Sequence, residues 1–173
     1  VSIDFPAPTE AAADRAEVFI RYLGYFRETL LSKVAALPPE AQRTSRLPSG
    51  WTPLELLKHV RHVERRWIEW GFQGAPVADP WADRANADLN ASWHVGPTES
   101  FDSLAAQLRT QATHTDNLIR TTSPDEVGAP GPRWDGAAPA TLERICFHLL
   151  QEYARHTGHI DIVAELSSGP VGE

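Results

Sequence analysis

The sequence predicts an all-α fold, a four-helix bundle forming a single domain over residues 1–173. Three observations carry this. Four segments, near 9–37, 53–72, 98–121 and 141–166, repeat apolar residues at steps of three and four. Capping or helix-breaking residues bound them, and no segment alternates as a half-buried strand would. Four amphipathic helices bury their stripes most simply against one another.

Helix one is expected to start at Thr9 as N-cap, with Glu10 in its first turn, and to run to about Leu37. Phe19, Leu23, Phe26, Leu30 and Val34 make its stripe, and Pro38-Pro39 ends it. A connector follows over 38–51. Helix two opens on a clear signal: Thr52 caps, Pro53 suits the first position, and Glu55 completes a capping box. Trp51 and Leu56 are spaced for a hydrophobic staple. The helix is expected to run unbroken to Phe72, with Leu56, Val60, Val63, Trp67 and Trp70 inward. Arg61, Glu64, Arg65 and Arg66 are expected to face solvent.

Residues 73–97 form a long connection rich in Pro, Asn and Asp, with Trp81 and Trp93 to pack it onto the bundle. Connections of this length are uncommon and often functional, so it is either a pocket wall or a plain crossover. Helix three is expected from Thr98 to Thr121, with Phe101, Leu104, Leu108, Ala112, Thr115 and Ile119 inward and His114 on the surface. A Pro- and Gly-rich connector, 122–140, leads to the longest helix, Thr141 to Leu166, whose stripe is Leu142, Ile145, Leu149, Tyr153, Ile160 and Val163.

The net charge of −7 and the lack of a basic stripe with interleaved aromatics argue against nucleic acid. No run of eighteen apolar residues offers a membrane span, and the N-terminus lacks a basic start with an apolar signal core, so a cytoplasmic protein is expected. A chain beginning at Val1 without Met is read as processed or trimmed. Cys146, the sole cysteine, is expected to be a buried, inert thiol.

The chemistry gathers on the last helix. Glu152 and His156 lie in the gap of its apolar stripe, four residues apart, so their side chains can converge. A carboxylate and an imidazole on an inward face need compensation. One reading is a hydrogen-bonded core pair. The other is part of a metal site, completed by His59 from the edge of helix two. Two imidazoles and one carboxylate leave a coordination position open and suit zinc, with nickel, manganese or iron also accommodated. His148 and His159 offer further combinations with His156 but read better as structural or supporting histidines, and His62 or His159 would be the spare general base of a hydrolytic site.

The stretches TPLELLKHVRHVERRW, WHVGP and LERICFHLLQEYARHTGHIDIVAEL, in that order, resemble the DinB-like metalloprotein superfamily, in particular its branch of mycothiol-dependent enzymes. The resemblance spans roughly 15–166. It implies a bundle in up-down-down-up order, which requires the long connection between helices two and three. It also implies metal ligands at His59, after the pair Leu56-Leu57, and at Glu152 and His156, like the His-Glu-His set of mycothiol-dependent maleylpyruvate isomerases. Those isomerases use a second C-terminal domain, whereas this sequence stops after helix four, so isomerase activity itself is not expected.

The resulting expectation is a divalent-metal-dependent thiol S-transferase. The thiol implied by the resemblance is mycothiol, and the acceptor is a small electrophile held by Trp67, Trp70 and the 73–97 connection. Arg155 is read as a solvated helix residue, with a thiol-anchoring role as the alternative. Metal-dependent hydrolysis and a non-enzymatic binding or stress-response module with a structural or absent metal stay open. Flat helix faces would allow a homodimer.

Overall fold

A computed structural model describes residues 4–86 and 88–167. Helix α1 spans Arg15–Ala36, α2 Pro39–Gln42, α3 Pro53–Arg65, α4 Phe101–Thr121 and α5 Leu142–Leu166. A π-helical segment, Arg66–Phe72, continues α3, and a 3-10 turn covers Pro132–Trp134. Among the described residues the only β-pairings are two isolated bridges, Arg84 with Trp93 and Val127 with Thr141.

The caps decide the boundaries. Thr52 and Glu55 form the expected capping box, with Thr52 N–H donating to Glu55 at 2.8 Å and Glu55 N–H to Thr52 at 3.3 Å. α1 starts later than Thr9 suggests, because Asp14 accepts from Glu17 N–H while the Glu17 carboxylate accepts from Ala13 N–H. Asp14 thus satisfies one orphan donor of the first turn, and Glu17 ties the turn to the preceding chain. α4 likewise starts after Ser100, which exchanges hydrogen bonds with Ser103. Glu99 is thereby freed to accept from Lys58 at 2.7 Å and from Gly96 N–H at 2.7 Å. The 38–51 connector is partly ordered as α2, which Pro39 initiates.

Ion pairs and hydrogen bonds fix the helix directions. Arg15 meets Glu143 at 2.9 Å and Lys33 meets Asp161 at 2.5 Å, so α1 and α5 run together. The Lys58–Glu99 pair near one end, and His114 with Gln73 at 2.9 Å farther along, make α3 and α4 parallel. Arg15 also reaches Asp125, just past the end of α4, at 2.7 Å, so the second pair opposes the first. The order is up, down, down, up.

The core between the helices is aliphatic: Leu23, Leu30 and Val34 from α1, Leu56 and Leu57 from α3, Leu108 from α4, and Leu149 and Ile160 from α5 are all fully enclosed. Burial of each such side chain favours folding by roughly 1.5–3 kcal/mol. One polar network crosses this core. The Arg27 guanidinium donates to Glu64 at 2.8 and 3.2 Å and to Asp116 at 2.8 Å, and Tyr153 O–H donates to Glu64 at 2.6 Å. It ties all four long helices together at mid-height. Burial and the Glu64 charge raise the Tyr153 pKa, so its hydroxyl remains a donor.

Glu64 and Arg66 correct the sequence expectation of solvent exposure: Glu64 is fully buried and Arg66 nearly so. At helical spacing Glu64 falls one turn beyond Val60, and Arg66 two turns beyond His59, so both sit on inward faces, and each finds a buried counter-charge there. The expected unbroken α-helix to Phe72 is also corrected. Gln73 N–H bonds to the Ile68 carbonyl five residues back, at 2.9 Å. The wider turn changes the phase of Trp67 and the residues after it.

Candidate metal centre

α3 and α5 present the three candidate ligands from facing sides. One nitrogen or oxygen from each of His59, Glu152 and His156 lies within 4.8 Å of the others. On α5 the four-residue spacing brings His156 Nε2 to 3.2 Å from a Glu152 oxygen. Across the helix interface the rings of His59 and His156 meet edge to face, 5.1 Å apart. Among the described residues no other group of three such side chains converges in this way.

The long connection supplies what holds His59. Residues 83–86 fold back against 92–94: Arg84 bridges to Trp93, His94 N–H donates to the Asp83 carbonyl at 2.9 Å, and Ala85 N–H to the Ser92 carbonyl at 2.8 Å. This brings both Asp83 and Trp93 against His59. The Trp93 ring stacks on the imidazole at 4.1 Å and 15°. His59 Nδ1 lies 2.9 Å from Asp83 Oδ2, and Arg66 donates to the same carboxylate at 2.7 and 3.2 Å. Arg66 is itself packed over Trp81, 4.3 Å from the ring centre.

The electrostatics follow from this geometry. Burial would raise the fully enclosed Asp83 carboxyl, but hydrogen bonds from His59 and Arg66, with the Arg66 charge, hold it well below the usual range. Burial lowers the His59 pKa, and the Asp83 bond only partly opposes it, so the imidazole is neutral at pH 7. With Asp83 ionised, the His59 proton sits on Nδ1 and Nε2 keeps its lone pair. The hydrogen bond from His156 lowers Glu152 against the opposing effect of burial. His159 Nδ1 lies 3.3 Å from His156 Nδ1 and occupies that second nitrogen. The donor set, two imidazoles and a carboxylate, with His59 Nδ1 held by Asp83 and His156 Nδ1 beside His159, fits a divalent transition metal.

These residues open onto a cleft of about 410 Å³. Trp67, Trp81 and Trp93 form aromatic walls, while Arg84, Arg133 and Arg155 add positive charge. Arg155, expected to be merely solvated, is exposed but lines this cleft. Trp70, expected in the acceptor wall, instead packs edge-on against Trp81 and does not line the cleft. His148 does line it, with its ring 4.5 Å from Trp67 and Nε2 3.7 Å from Glu152. His62 lies elsewhere in the interior, where burial lowers its pKa to about 3. Cys146 is enclosed and burial raises its thiol to about 12, which makes it inert at neutral pH.

The mycothiol-S-transferase family matches this chain over residues 18–169. The chain belongs to that family. Its DinB-like fold is shared by a conserved protein from Enterococcus faecalis, at a TM-score of 0.65 and 14% identity, covering 92% of this chain and 100% of that one. No curated protein matches. The mycothiol-S-transferase family assignment agrees with the segments LELLKHV and EYARHTGHIDI, which carried the resemblance at sequence level.

Asp83, Arg66 and Arg133 join the site without having been expected from the sequence. Arg66 carried a usable signal, its two-turn spacing from His59. Asp83 carried none, being one of several acidic residues in an irregular segment. Arg133 stands in the second connector, whose delivery to the cleft depends on tertiary docking.

Proposed function

We propose that the protein is a divalent-metal-dependent thiol S-transferase, with His59, Glu152 and His156 as metal ligands and mycothiol as the thiol. The observation that carries this reading is the convergence of three ligand atoms within 4.8 Å at a cleft walled by tryptophans. The family match supports the choice of thiol. A divalent ion held there, with zinc the first choice, would lower the pKa of a thiol and present it as a thiolate at neutral pH.

The chain's own residues do the rest. Asp83 fixes the His59 tautomer with the lone pair on Nε2, and Trp93 covers the ring face. His159 stands at His156 Nδ1 and steadies that ring in the orientation its Nε2 needs. Trp67, Trp81 and Trp93 offer apolar surface to the body of an electrophile. Sulfur then bonds to the electrophilic carbon, the leaving group departs with its bonding electrons, and the thiol proton passes to solvent.

The test combines elemental analysis with turnover. Purified protein is expected to hold close to one divalent metal per chain, and Glu152→Ala and His156→Ala to lose it. Metal-loaded protein is expected to conjugate mycothiol to an aryl chloride and to do nothing to it without thiol. Failure to take up zinc, nickel or manganese on reconstitution would refute the metal site. Metal binding with acceptor hydrolysis that ignores mycothiol would refute the transferase.

A further inference from the structure

Arg133 is a guanidinium without a counter-ion. No described residue places a carboxylate within ion-pair reach of it, and its Nε is buried without a hydrogen-bond partner. Its direction is nevertheless fixed. It lies over Trp67 at 4.0 Å from the ring centre, and the adjacent Trp134 anchors the segment by donating to the Ala129 carbonyl at 2.9 Å. Ala129 in turn donates to the Phe72 carbonyl at 2.7 Å, docking the connector on the π-helical end of α3.

Arg155, on α5 beside His156, has no carboxylate partner among the described residues either, and neither has Arg84. Arg66 provides the contrast, being saturated by Asp83. The single carboxylate lining the cleft is Glu152, which the proposed metal would occupy. A protein with net charge −7 thus concentrates three uncompensated guanidiniums around one aromatic-walled cleft. Arg84 and Arg133 are half-buried, and partial desolvation of such a cation is unfavourable unless an anion completes it. The cleft therefore focuses a positive potential on whatever enters.

We propose that this cleft selects a carboxylate-bearing electrophile, with Arg133 and Arg155 holding the carboxylate and the tryptophans its apolar body. The proposal rests on the thiol-transfer reading and names its acceptor class. Mycothiol, a cysteinyl pseudodisaccharide of amide and hydroxyl groups, carries no carboxylate, so the anion belongs to the acceptor. In the reaction the mycothiol sulfur bonds to the ring carbon of an aryl chloride, chloride leaves with the C–Cl electron pair, and the thiol proton goes to solvent.

The experiment compares 4-chloro-3-nitrobenzoate with 4-chloro-3-nitrobenzamide as acceptors for the zinc-loaded protein and mycothiol. Each kcat/KM is divided by the uncatalysed rate constant of its own acceptor, because the amide activates the ring more. The normalised ratio of benzoate to amide is expected to exceed roughly 10 in the wild type, the range of a charge-assisted hydrogen bond. Arg133→Gln is expected to bring it near one, Arg155→Gln to lower it, and Arg133→Lys to keep part of it while far-UV circular dichroism confirms folding. Binding without thiol, followed by tryptophan quenching, is expected to favour the benzoate in the wild type and not in Arg133→Gln. Turnover of both acceptors at a ratio near one, or an unchanged ratio in both glutamine variants, overturns the anion site and leaves the transferase standing. Selective benzoate binding lost in Arg133→Gln, with no turnover of either acceptor, sustains the anion site and overturns the transferase.

Discussion

Replacing Asp83 with Asn isolates the step by which the connection acts on the candidate centre. Three donors converge on two carboxylate oxygens: His59 Nδ1 and one Arg66 nitrogen on Oδ2, the other Arg66 nitrogen on Oδ1. An Asn side chain offers one acceptor oxygen, and its amide group must face either His59 or Arg66. Facing His59, it repels the Nδ1 proton and favours the tautomer with the proton on Nε2, which removes the lone pair a metal requires. Facing Arg66, it leaves a buried cation without its acceptor. Breaking one side of a buried pair costs about 3–5 kcal/mol, and losing a supporting hydrogen bond to a ligand lowers metal affinity by roughly 10–100-fold. The assays are urea unfolding of metal-free protein and zinc competition against a chromophoric chelator at pH 7, on samples shown to be folded. In a His59→Ala background the Asn substitution should cost little further affinity, since its effect runs through His59. Wild-type zinc affinity in Asp83→Asn would refute the reasoning. Equal losses with and without His59 would show that Asp83 acts through the fold alone.

The buried Glu64 gives a second expectation: Glu64→Ala should destabilise the protein by about 3–5 kcal/mol in urea, whereas the double change Arg27→Met with Glu64→Leu should cost less than either single change. His62 supplies the pH dependence. Its folded pKa is depressed from 6.5 to about 3, so between those values the unfolded chain binds more protons. Stability should therefore fall as pH drops through that window, by up to about 5 kcal/mol from this group, and His62→Phe should flatten the curve of urea midpoint against pH. Gly128 tests the connector: a Cβ there would lie 3.0 Å from Phe72 Cα and 3.1 Å from its carbonyl oxygen. Gly128→Ala is expected to cost about 1–3 kcal/mol by overpacking and to disturb the Arg133–Trp67 contact, visible as a change in tryptophan emission.

The helices and much of their capping were legible because both depend on residues a few positions apart. The Thr52–Glu55 box and the stripe from Leu142 to Val163 are local patterns with local consequences. The juxtaposition of Glu152 and His156 was legible for the same reason, since one helical turn separates them. Residue type misleads where position rules: the charges of Glu64 and Arg66 suggest solvent, although their spacing places both inward. The start of α1 lies beyond Thr9 because Thr9 sits in a turn closed by Glu10 N–H on the Ala7 carbonyl, and Asp14 caps the helix instead.

By itself, the sequence determined an all-α bundle, the faces its helices bury and two facing side chains on α5. The sequence nominated His59 as their partner, but only the tertiary structure decided how closely it approaches them, that the 73–97 connection would fold back to set Asp83 and Trp93 against it, and that docking of the second connector would bring Arg133 to the same cleft. The physical reason is range. Helix periodicity and capping are fixed by neighbours along the chain. The meeting of distant segments depends on helix register, the path of irregular loops and the pairing of buried charges, none of which exists until the bundle is packed.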